Sequence, residues 1–109
     1  MNTPSPSQEA VPAPTPHVFR VTQGTIDAQT AWDLRPALMK ALYTHGPEIN
    51  VDLSDVSFID STGLGMLVGV LKEAQTMKGA VRLINPGREV RRILQVTGLA
   101  TMFQQPNSQ

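Results

Sequence analysis

The residues able to do chemistry are concentrated in one stretch, Val51 to Leu71, VDLSDVSFIDSTGLGMLVGVL. Asp60, Ser61 and Thr62 stand where an apolar run gives way to a glycine-punctuated helical pattern, so a carboxylate and two hydroxyls fall at a helix start. Such a start leaves backbone N–H groups unpaired and carries partial positive charge, which suits a hydroxyl, a carboxylate or a phosphate. Three chemistries use these residue types. A nucleotide cradle needs G-x-G-x-x-G or a Walker lysine, but after Gly63 and Gly65 position 68 is Val68 and no Walker lysine follows. A serine hydrolase of the G-x-S-x-G kind is excluded by the absence of that motif, and neither His17 nor His45 lies near an obvious partner. The third chemistry makes Ser61 or Thr62 a substrate. A phosphate there adds about −1.5 to −2 charges to a surface that includes Asp27, Asp55 and Asp60, at a helix end that tolerates it. An ordinary helix cap accounts for the same hydroxyls, and spacing alone leaves both readings standing.

To hold these residues the chain needs a strand before them and a helix after. Ile49, Val51 and Leu53 alternate with Asn50 and Asp52, the period of a strand. Ser54 and Asp55 suit a turn, and Val56, Phe58 and Ile59 bring the chain back to the core. Leu64, Leu67, Val68, Leu71, Ala74 and Met77 recur at helical spacing, with Gly79 as the stop. Gly65 and Gly69 share a face of that helix and predict a close approach to the sheet or to a second helix.

Upstream, His17 to Gln23 reads as a strand broken by Gly24, and Asp27 or Thr30 caps a helix that turns Ala31, Leu34, Leu38 and Leu42 to the core. Pro36 predicts a kink or a late start in that helix, Trp32 is placed at the edge of the core in preference to a partner surface, and Gly46 with Pro47 ends the helix. Downstream come a strand over Ala80 to Ile84, a loop at Asn85 to Gly87 and a helix over Glu89 to Thr97 that buries Val90, Ile93 and Leu94. Arg88, Arg91 and Arg92 project from its other side as a solvated face or a dock for an acidic partner. Leu99, Met102 and Phe103 close the core. Strand and helix alternate throughout, which predicts an α/β domain with right-handed crossovers and functional loops at the carboxyl ends of its strands.

The chain has 109 residues, room for one domain, with nine basic against nine acidic side chains, so net charge points to neither nucleic acid nor an anionic membrane. There is no Cys, which excludes disulfides and thiolate metal sites, and the two histidines lack ligand spacing; no metal or cofactor is expected. The longest run without charge or strong polarity, Gly63 to Leu71, is far short of the roughly 20 residues of a membrane span. With no basic patch followed by an apolar stretch at the N-terminus, a cytoplasmic protein is expected. Residues 1–16 carry Pro4, Pro6, Pro12, Pro14 and Pro16 and read as a disordered leader, with a proline-rich ligand as the other reading; residues 104–109 read as a loose tail, leaving 17–103 as the folded unit.

Gly24-Thr25-Ile26-Asp27, Asp52-Leu53-Ser54, Phe58-Ile59-Asp60-Ser61-Thr62-Gly63-Leu64-Gly65 and Val96-Thr97-Gly98-Leu99 together resemble the landmarks of the STAS domain family, and most closely its bacterial anti-sigma factor antagonists. The resemblance runs from Val18 to Phe103. It implies a single small α/β domain with a mixed, mostly parallel four- or five-stranded sheet and helices packed mainly on one side. It also implies that the chain is no enzyme. Ser61 would be the phosphoacceptor, with Thr62 as the alternative, within a partner surface of Asp27, Asp55, Asp60, Ser61, Thr62, Gly63, Leu64 and Gly65. The implied partners are an anti-sigma factor that is also a serine kinase, and a PP2C-type phosphatase. The unphosphorylated form would bind the anti-sigma factor and free a sigma factor. A scaffold in a lipid-transport ATPase or a stress-signalling complex is the other role open to such a fold. Family members usually begin with an extra strand before Val18, where this chain has its proline-rich leader.

Overall fold

The computed structural model describes residues 16–103. The expectations for the leader before Pro16 and for the tail 104–109 lie outside the described residues. The elements in chain order are β1 (His17–Arg20), β2 (Thr25–Ile26), α1 (Ala28–His45), β3 (Glu48–Asp52), β4 (Phe58–Ile59), α2 (Ser61–Thr76), β5 (Ala80–Ile84), α3 (Arg88–Val96) and α4 (Ala100–Phe103).

β3 is the middle of a three-stranded sheet because its alternation buries Ile49 and Val51 while Asn50 and Asp52 stay half-exposed. It pairs in parallel with β1, from His17 opposite Ile49 to Arg20 opposite Asp52, and with β5, from Glu48 opposite Ala80 to Asp52 opposite Ile84. β2 and β4 form a second parallel pair, with Thr25 opposite Phe58 and Ile26 opposite Ile59. The expected four- or five-stranded sheet is thus realised as five strands in two sheets, and every pairing among the described residues is parallel. The division falls where both chains bend at one level. Val21 N–H still reaches the Asp52 carbonyl at 3.1 Å, after which the Asp52 carboxylate accepts from Ser54 N–H at 3.0 Å and Val56 N–H turns back to the Leu53 carbonyl at 3.0 Å. β2 was missed in the sequence, where Gly24 was taken to end the strand.

α1 runs from Ala28 through Pro36 to His45, so the late start is not observed. Proline removes the N–H that would bond the Trp32 carbonyl, but Pro36 lies on the exposed face, where water can serve that carbonyl. Trp32 is 84 % exposed, which corrects its placement at the core edge: the inward stripe is Ala31, Leu34, Leu38, Ala41 and Leu42, and Trp32 stands on the helix's outer flank. On α2 the expectation for Gly65 and Gly69 fails as well. A methyl group at either position would meet nothing within 4 Å, so they are not points of close helix approach.

The core is one cluster in which Leu38 and Leu42 of α1 and Leu67 and Leu71 of α2 pack with Ile49 and Val51 of the sheet. Each such fully buried side chain contributes about 1.5–3 kcal/mol relative to exposure. At the far ends of α1 and α2 the Tyr43 hydroxyl donates to the Glu73 carboxylate. α3 buries Val90 and Leu94. Its arginines are partly committed nearby: Arg92 bonds Glu89 and Arg91 donates to the Pro86 carbonyl at 3.1 Å, which favours the solvated face. α4 seats Phe103 in the core, whereas Met102 stays 39 % exposed and does not help close it. No helix among the described residues is long and apolar enough to cross a membrane.

Candidate functional site

Two short strands place two helix starts side by side. Because Ile26 is opposite Ile59 in a parallel pair, the next residues, Asp27 and Asp60, leave the ladder at the same level, and Asp60 N–H extends it by donating to the Ile26 carbonyl at 3.1 Å. Each aspartate caps the helix that follows. Thr30 N–H donates to Asp27 Oδ1 at 3.0 Å while Asp27 N–H donates to Thr30 Oγ1 at 2.8 Å, a reciprocal box. Gly63 N–H donates to Asp60 Oδ1 at 2.8 Å. The local signal is a repeated Ile-Asp, in Thr25-Ile26-Asp27 and Phe58-Ile59-Asp60, each preceding a helix.

Asp60, and not a hydroxyl, therefore caps α2. Ser61 and Thr62 are its first two helical residues, both exposed, and neither makes a side-chain hydrogen bond among the described residues. The cap reading of these hydroxyls loses its basis. Gly63 is buried because the start of α2 rests on β2: a Cβ there would lie far inside contact with the Ile26 carbonyl oxygen and 2.8 Å from its Cγ2. Leu64, 7 % exposed, faces the core and supports the surface from below, whereas Gly65 opens to solvent one turn beyond Ser61.

Asp55 stands apart from this group. Its carboxylate accepts both Arg20 Nε and Nη2 at 3.1 Å, tying the end of β1 to the loop before β4 and cancelling its charge locally. Beside Thr62, α1 and α2 part to form a groove of about 510 Å³ whose walls include Trp32, Arg35 and Pro36 from α1 and Thr62 and Met66 from α2. This neighbour of the hydroxyls was not foreseen; an exposed Trp beside a helix-interior Pro was its only trace in the sequence.

The site is acidic and holds no metal cluster among the described residues. The Thr30 N–H lowers the Asp27 pKa most; partial desolvation opposes it, and the Thr30 hydroxyl and nearby backbone N–H groups add to the lowering. A depressed folded-state pKa means that the charged cap stabilises the fold above the unfolded value and that this contribution is lost as pH falls through the folded one. Asp27→Asn retains an acceptor but cannot titrate. Its stability deficit against wild type, measured by urea unfolding, is expected at about pH 7 and should narrow once pH falls below the ordinary carboxylate value of about 3.9. A constant deficit over that range would show that the carboxylate charge contributes nothing.

Comparison with known proteins sets this geometry among relatives. Residues 9–108 match the STAS domain. The chain is 32% identical over 93 residues to the anti-sigma-B factor antagonist of Listeria monocytogenes, covering 85% of this chain and 82% of that one. It is 38% identical over 76 residues to the anti-sigma-B factor antagonist of Bacillus subtilis, covering 70% and 69%. Among solved structures, the anti-sigma factor antagonist SpoIIAA in its unphosphorylated form superposes with a TM-score of 0.68 at 27% identity, over 80% of this chain and 76% of that one. The Bacillus cell fate determinant SpoIIAA in the phosphorylated form superposes with a TM-score of 0.61 at 26% identity, over 80% and 78%. These relatives are named for regulation of a regulator and not for a reaction.

Proposed function

This chain belongs to the STAS domain family, and from that premise we propose that it is an anti-sigma factor antagonist switched by phosphorylation of Ser61. The unmodified protein binds an anti-sigma factor that is also a serine kinase, and so frees a sigma factor. Phosphate on Ser61 breaks that complex, and a PP2C-type phosphatase restores the binding form. The switch works in the cytoplasm, and this chain supplies a surface and an acceptor hydroxyl, without catalysis of its own.

The observation that carries this reading is the state of Ser61: an exposed hydroxyl, bonded to nothing, on the first residue of a helix already capped by Asp60. A kinase can take that oxygen without breaking any contact of the fold. The unpaired N–H groups of the first turn accommodate the phosphate once it is there. Asp27 and Asp60 lie beside it, so a group of about −1.5 to −2 charges makes the shared surface sharply more acidic while the core stays untouched. Thr62 is also exposed, but it borders the groove beside Trp32. Incubation with the cognate kinase and ATP should add one phosphate to wild type and none to Ser61→Ala, read by intact mass. Equal labelling of Ser61→Ala would move the acceptor to Thr62 or elsewhere and end the Ser61 assignment.

A further inference from the structure

Beside the acceptor hydroxyl, the groove between α1 and α2 is walled by Trp32, Pro36 and Met66, and Arg35 is the one charged residue lining it. Trp32 is 84 % exposed, and among the described residues no carboxylate pairs with Arg35. Resting on the reading of Ser61 given above, we propose that this groove is a second anchor for the same anti-sigma kinase, which seats an apolar side chain against Trp32 and sets a carboxylate on Arg35.

The common level of the two helix starts sets the distances. Asp27 and Asp60 leave the β2–β4 pair together, so α1 and α2 begin side by side. At a helical rise of about 1.5 Å per residue, Trp32 lies about 8 Å and Arg35 about 12 Å along α1 from Asp27, and Met66 about 9 Å along α2 from Asp60. A stable protein complex covers about 800 Å² of each partner, a disc of about 16 Å radius. A kinase centred over Ser61 with that footprint takes in the groove, one wall of which is Thr62, the very next residue. The lining suits a protein side chain better than a small metabolite. The groove holds about 510 Å³, yet Arg35 and Thr62 are its only polar side chains, too few to orient a polar ligand. Exposed Trp and Arg, by contrast, are the residue types that carry much of the energy at protein interfaces. Charge then fixes which way the partner lies. Asp27 and Asp60 call for cations over the helix starts, while Arg35 calls for an anion about two turns along α1. The reversed orientation sets like charges together at both ends, so the matching surface on the kinase is bipolar.

Calorimetric titration of the full-length protein with the kinase that labels Ser61 tests the anchor. Trp32→Ala should bind about 30-fold more weakly than wild type, the loss typical of an interface hot spot. Its thermal unfolding should superpose on that of wild type, because little of the indole is buried in the fold. Arg35→Glu should bind about tenfold more weakly in dilute buffer, and about 0.5 M salt should shrink that gap while leaving the Trp32→Ala gap in place. Ser61→Asp, titrated alongside, separates the anchor from the switch. Trp32→Ala at wild-type affinity, with Ser61→Asp weakened, overturns the anchor and leaves the switch standing. Trp32→Ala weakened, with Ser61→Asp at wild-type affinity, supports the anchor and breaks the switch. Self-association of wild type that Trp32→Ala abolishes hands the groove to a second copy and overturns the proposal. So does a free protein in which Trp32, the sole tryptophan, resists acrylamide as a buried indole does, since the groove is then already filled.

Discussion

Ser61→Asp is expected to weaken binding to the anti-sigma partner by about 2–5 kcal/mol, a factor of roughly 30 to several thousand, with no loss of folding stability. The two halves of that expectation have separate causes. Stability is spared because the Ser61 side chain is exposed and bonded to nothing, so no contact is lost on substitution. A carboxylate in the first turn of α2 also interacts favourably with the helix N-terminus, by a few tenths of a kcal/mol. Under the proposed switch the new charge enters the interface beside Asp27 and Asp60, which already cap the two neighbouring helix starts, and desolvating a third carboxylate there opposes binding. Calorimetric titration against the partner should give Ser61→Ala within about threefold of wild type, since only a small hydroxyl is removed, and Ser61→Asp far weaker. Thermal unfolding should superpose for all three. Affinity of Ser61→Asp equal to wild type would end the charge-switch mechanism, whereas a collapse in its unfolding temperature would trace the loss to misfolding.

How much of this was legible in the sequence depends on whether the signal was local. The alternation around Ile49 to Leu53 and the helical spacing from Leu64 to Ala74 are local, and β3 and α2 appear where they were read. Asp27 as a cap was legible for the same reason, since its partner Thr30 is three residues away. The pairing of β2 with β4 was not, because two-residue strands carry no period, and their register is set by the simultaneous bend of two chains more than 30 residues apart. The roles of the glycines inverted on the same account. Gly65 and Gly69 have helical spacing and suggested contact, yet face open space, while the close approach at Gly63 is made to Ile26, a residue remote in sequence. Trp32 was misplaced because apolar character alone favours burial, and only the completed stripe of α1 shows that, among the described residues, nothing covers its flank.

Gly63→Ala is expected to destabilise the protein by about 3 kcal/mol, whereas Gly65→Ala, two residues along the same helix, stabilises it by about 0.5–1 kcal/mol. Helix propensity favours alanine equally at both positions, so propensity alone predicts two stabilised variants. What separates them is the space around each Cα. The added methyl at Gly65 meets nothing within 4 Å, and its whole effect is the reduced freedom of the unfolded chain. At Gly63 it runs into the Ile26 carbonyl oxygen, part of the backbone, which cannot yield as a side-chain tip can. That same carbonyl accepts the Asp60 N–H, and the Gly63 N–H is the donor that satisfies the Asp60 cap. Pushing α2 away from β2 therefore strains two hydrogen bonds along with the packing, and each lost bond adds about 1 kcal/mol. It also moves Ser61 relative to Asp27, so Gly63→Ala should be phosphorylated more slowly than Gly65→Ala even at temperatures where both are folded. Urea unfolding of the two variants reads the energetic contrast. If Gly63→Ala proves as stable as Gly65→Ala, the start of α2 does not rest on the Ile26 carbonyl, and the side-by-side placement of the two capped helix starts falls with it.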